Sequence, residues 1–196
     1  MLRRSGSGGC VARLGRPKIQ LSAFRLAIDP FMLKCHELVG FISPALAREI
    51  LEHAYTADKP LYKAILAAVA AANRIRPAFF EKQPRAQRHA EMLAALTRPR
   101  MEEAAANLLR GWLLTVENHL IIEFLDGLGV PHKEGVVEDF PESVDEVRLK
   151  STVDAVLARH DPERVIIYLN VLKSTSGVNW ASLDALIDSD SRLQLG

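Results

Sequence analysis

The sequence predicts an all-α fold: a compact, partly orthogonal bundle of about seven helices arranged around one long central helix at about 99–128. Three observations predict it. Capping residues followed by proline in the first turn recur along the chain, and apolar residues repeat at the 3, 4, 7 spacing of one helix face. Strand-like alternation is missing apart from short β-branched runs at 136–137 and 165–167, the second of which also fits a buried helix.

Ser43 and Pro44 open the first clear helix, which runs to about Tyr55 with Leu46, Ile50, Leu51 and Ala54 on one apolar face. Asp58, Lys59 and Pro60 open the next, an alanine-rich segment to about Asn73 whose small side chains allow close helix packing. Pro77 ends or bends it, because the residue before proline is disfavoured in the α region. A linker carrying Phe79 and Phe80 is expected to follow, then a helix from Pro84 to about Leu96. Thr97, Arg98 and Pro99 begin the longest segment, which Gly129 and Pro131 stop. After a loop, Ser143 and Glu146 read as a capping box opening a helix to about Arg159. Asp161 and Pro162 open another through Leu172, and a last short helix carries Trp180, Leu183, Leu186 and Ile187.

The first thirty residues read differently. They contain the run Ser5, Gly6, Ser7, Gly8, Gly9 and no sustained period, so residues 1–30 are expected to be a disordered basic appendage to a single helical domain at 31–196, with Met32 as a candidate alternative start. Arg3, Arg4, Arg13, Arg16, Lys18 and Arg25 give residues 1–28 a charge of +6 with no acidic group, and since the whole chain is +1, the remainder is −5. A mildly acidic body argues against nucleic acid as a partner of the domain as a whole. Apolar and charged contents of 48% and 25% are ordinary for a soluble globular chain. Cys10 and Cys35 show no metal-ligand spacing, no apolar run approaches a membrane span, and no continuous apolar leader is present, so cytoplasmic residence is the expectation.

Chemistry-bearing residues gather in three places. Laid out at 100° per residue, the long segment changes its apolar face halfway: Met101, Ala105, Leu108, Trp112 and Val116 share one face, and His119, Glu123 and Asp126 continue along that same line. If that stripe points inward, His119, Glu123 and Asp126, with His132 from the following loop, make a ligand set suited to zinc, iron or manganese, or to acid/base work. The plainer reading is that the helix changes neighbours near 116–119 and its polar stripe faces water.

The second group is basic. Arg74, Arg76, Lys82, Arg85, Arg88, Arg98 and Arg100 are opposed only by Glu81 and Glu91. Arginine forks match phosphate, so Arg74, Arg76, Arg85, Arg88, Arg98 and Arg100 are the candidate anion site for a nucleic acid or other polyanion, with Phe79 and Phe80 more readily core than stacking platform. The acidic stretch at 134–146 offers an alternative partner, inside the fold or across a homo-oligomer.

The third is the loop at 129–141, in which His132, Glu134, Glu138 and Asp139 stand close in sequence. Nucleotide-binding, serine-hydrolase, zinc-protease and EF-hand motifs are missing from the sequence. The function expected is therefore a helical interaction or scaffold module without catalysis or cofactor, its partner another protein or a second copy.

Overall fold

A computed structural model describes residues 33–194. The expected appendage at 1–30, the candidate start at Met32 and Cys10 lie outside the described residues. The described residues form ten α-helices, two 3-10 turns and a single isolated bridge between Lys133 and Val136, with no strand. In chain order the helices are α1 (Cys35–Phe41), α2 (Pro44–Ala57), α3 (Lys59–Ala72), α4 (Pro77–Glu81), α5 (Arg85–Leu96), α6 (Glu102–Thr115), α7 (Asn118–Leu128), α8 (Glu146–Arg159), α9 (Pro162–Thr175) and α10 (Ala181–Ser189).

The all-α class holds, but the count is ten rather than about seven, for three local reasons. Helix α1 precedes the Ser43–Pro44 start and has no side-chain cap strong enough to advertise it in the sequence; its first N–H groups are satisfied from a distance, by Glu102. Helix α4 occupies the expected linker. Pro77 supplies its first turn, and of the aromatic pair Phe80 is wholly buried while Phe79 is 65% exposed.

The third difference is the long helix, which is three pieces: a 3-10 turn at Pro99–Met101, then α6, then α7. Thr115 Oγ1 donates to the Gly111 carbonyl at 2.8 Å and approaches that of Trp112, the back-bonding that bends helices. Glu117 then leaves helical geometry, with φ −101° and ψ 20°. The chain restarts rotated, so both halves keep their apolar faces inward. Ala105, Leu108, Leu109, Trp112 and Leu113 are buried from α6, and Leu120, Ile121, Phe124, Leu125 and Leu128 from α7. The reversal of pattern seen in the sequence marks a break.

Helix α6 is central, packed against α1, α2, α3, α5, α7 and α9. The three expected polar caps before proline are present: Ser43 accepts from Leu46 N–H, Asp58 from Leu61 N–H and Asp161 from Glu163 N–H. Asp145, not Ser143, caps α8, accepting from Arg148 N–H at 2.8 Å. The β-branched run at 165–167 lies in α9, which is buried on nearly all sides and therefore shows no amphipathic period. Trp180 Nε1 donates to the Pro141 carbonyl at 2.7 Å and fastens the loop between α7 and α8 to the start of α10. Among the described residues no helix is long and apolar enough to cross a membrane.

Candidate functional site

The stripe His119, Glu123, Asp126 does not converge with His132 into one site. After the break it runs along the outer side of α7, where the side chains of His119 and Asp126 are 65% and 71% exposed. His132 pairs with Asp126 alone, Nε2 to Oδ1 at 3.2 Å, while its Nδ1 accepts the Gly135 N–H at 3.1 Å. Since Nδ1 is an acceptor, the ring proton sits on Nε2, and both nitrogens are engaged in holding the turn at 132–135. Gly135 makes that turn possible with φ +84°, a value that side-chain-bearing residues rarely adopt.

What gathers instead is a polar network where α6 and α7 meet α8, α9 and α2. Glu117, the residue of the break, is buried and pairs with Arg164 of α9. Arg164 also shares its Nη2 between both carboxylate oxygens of Glu49 on α2 at 2.9 Å and lies over the Trp112 ring, 5.4 Å from its centre. Two residues on, His119 reaches back to Glu117, Nε2 to Oε2 at 4.0 Å, and its ring lies 5.0 Å from that of His160, the residue ending α8. His160 is half-buried and bonds Glu123 Oε2 through Nε2 at 3.0 Å, and Arg159 donates to Glu123 Oε1 at 2.6 Å. The bond from His160, with the Arg159 charge behind it, holds the Glu123 carboxyl below its ordinary range against the opposing effect of burial. One ligand-capable atom each from Glu117, His119 and His160 lie within 4.8 Å of one another.

The basic segment is divided among separate tasks. Arg88 is buried, donating Nε to the Tyr62 hydroxyl at 2.9 Å and Nη1 to the Glu81 carbonyl at 2.6 Å, so its fork is spent inside the fold. Arg85 pairs with Glu52 at 3.0 Å and Arg98 bonds Asn73 Oδ1 at 2.9 Å. Arg74, Arg76 and Arg100 are exposed, with no ion pair among the described residues. Nor, among the described residues, does any ion pair join this segment to the acidic stretch at 134–146.

A second feature is a cleft of about 340 Å³ between α6, α7 and α9, closed on one side by the 135–140 part of the long loop. Its walls are Leu113, Ile121, Leu125, Val137, Phe140 and Val171, and its lip carries the exposed Leu114 and Val136. Arg110 and Glu138 bring charge to it. Tyr168 of α9 lines it, and its hydroxyl is sealed from solvent without a hydrogen-bond partner. Burial pushes that phenol well above its ordinary range, so it is a neutral donor.

Sequence reasoning placed none of Glu117, His160, Arg164 or Tyr168 in a site. Glu117 carried the only available signal, a carboxylate at the point where the apolar face switches. Compared with protein-family models, curated protein sequences and solved structures, the chain matches none.

Proposed function

We propose that the chain is a helical interaction module whose working surface is the cleft over Tyr168, and that this cleft takes a small amphiphilic molecule. The observation that carries the reading is the cleft itself, walled by apolar side chains from three helices and the loop, with Leu114 and Val136 left exposed at its lip. At about 340 Å³ the cleft falls within the range of small-molecule sites, which runs from about 300 to 1,000 Å³.

Its chemistry defines the ligand class. The walls call for an apolar body and Arg110 for an anionic end. Glu138 disfavours a second negative group. The buried Cys35 thiol, beside Ser174 Oγ at 3.2 Å, suits a reducing compartment, and a cytoplasmic setting belongs to the same reading.

The test uses the fluorophore anilinonaphthalene sulfonate, which is apolar with an anionic end, and decanoate as competitor. Saturable one-to-one binding displaced by decanoate is expected, weakened at least tenfold by Leu114→Asp and several-fold by Val136→Asp. Fluorescence that never saturates, or that is unchanged in both variants, overturns the reading.

A further inference from the structure

We propose that Glu117, His119 and His160 form a binding site for a divalent transition metal of the zinc class, at the point where the chain breaks between α6 and α7. Two imidazoles and one carboxylate are the donor set such ions take when three protein ligands leave a position for water. The three residues come from the break, from the first turn of α7 and from the end of α8, so the helix break itself brings the first two together.

The surroundings supply what metal-binding histidines and carboxylates need. His160 commits Nε2 to Glu123 at 3.0 Å, which fixes the ring and leaves Nδ1 as its free donor, the carboxylate–histidine arrangement that orients and strengthens metal ligands. Glu117 uses Oε1 for Arg164, and Oε2 is the oxygen nearest His119. The Arg164 charge does not forbid a cation, because both oxygens of Glu49 already share it. Arg159 is likewise paired with Glu123.

The set is somewhat open. Bonds of about 2.0–2.1 Å in a tetrahedron put neighbouring donors about 3.4 Å apart, whereas Glu117 Oε2 and His119 Nε2 are 4.0 Å apart. His119 is the part able to move. Its side chain is 65% exposed, so rotation about its own bonds closes the gap without disturbing the core.

The experiment is titration of the full-length chain, without an affinity tag, with Zn²⁺ by calorimetry and with Co²⁺ by visible ligand-field absorption. One equivalent is expected to bind at micromolar concentration, with a Co²⁺ spectrum of four- or five-coordinate form. His119→Gln and His160→Ala are each expected to weaken binding at least tenfold, and Glu123→Gln by about tenfold. His53→Gln, at a surface histidine bonded only to Thr115, is expected to leave it unchanged. His119 is exposed, so its variant keeps the fold and the result stays interpretable even if the half-buried His160 variant does not fold. Failure to bind at about 100 μM Zn²⁺, or binding that survives His119→Gln with the wild-type Co²⁺ spectrum, overturns the proposal.

Discussion

Glu102, in the first turn of α6, caps α1 across the fold: its carboxylate accepts the His36 backbone N–H at 3.0 Å and the His36 Nδ1 at 2.6 Å, while its other oxygen takes the Cys35 N–H at 3.0 Å. A helix of seven residues cannot hold itself together in water, so this anchorage and the burial of Leu38 and Val39 keep α1 in place. Glu102→Ala is expected to cost about 1–2 kcal/mol, in the range of lost helix caps. Denaturant unfolding checks it, together with faster amide exchange confined to residues 35–41.

Acid should loosen the fold through two carboxylates. Burial works to raise Glu102, but the bonds from His36 and Cys35 outweigh it, and Glu123 is lowered by His160 and Arg159. Both carboxyls therefore sit below their unfolded values of about 4.3. The unfolded chain takes up their protons first as pH falls, so their stabilisation is full above that value and is lost as pH drops through the lowered folded values. Unfolding midpoints from neutral pH to about pH 3 should fall less steeply in Glu123→Gln than in the parent, whose slope includes this group.

Arg164→Met removes the arginine that, among the described residues, pairs with the buried Glu117, and is expected to cost about 3–5 kcal/mol, the penalty of an orphaned buried charge. The double variant Arg164→Met with Glu117→Gln should recover a large part of that loss. Equal loss in single and double variants would mean that packing against Trp112, not charge, is what Arg164 supplies.

Helices α7 and α8 approach at Gly127, where an added Cβ would lie 2.5 Å from Thr152 Cγ2 and 2.9 Å from its Oγ1. Alanine is the better helix former by about 1 kcal/mol, but overpacking by a methyl costs about 1–3 kcal/mol. Gly127→Ala is therefore expected to destabilise, and to become neutral or stabilising in a Thr152→Ala background. A thermal double-mutant cycle measures the sign change.

In the ligand-free chain Tyr168→Phe is expected to raise stability by about 1 kcal/mol, because it deletes a buried hydroxyl that nothing satisfies. Calorimetric unfolding in the absence of any amphiphile reads this directly.

The fold was legible where local chemistry decides it. Ser43, Asp58 and Asp161 ahead of proline marked three helix starts, and the face of Leu46, Ile50, Leu51 and Ala54 went inward as its spacing required. It was not legible where a distant residue decides, as at α1, whose cap is 66 residues away. The site was legible only as an anomaly. A pattern that reverses at 116–119 fits a single helix changing neighbours or two helices meeting, and the Thr115 back-bond and the Glu117 dihedrals choose the second. Tyr168 had no signal, since a tyrosine in a uniformly apolar helix gives no sign of whether its hydroxyl finds a partner.

Arg164 also bears on the order of folding. It spans 115 positions to Glu49 and 47 to Glu117, whereas the α2–α3 and α8–α9 pairs close over short loops. Distant closures carry the larger entropic cost and follow the local ones. Arg164 thus behaves as a late latch: loss of its ion pairs should multiply the unfolding rate while leaving the refolding rate nearly unchanged, so the lifetime of the native state hangs on it more than the route by which that state is reached.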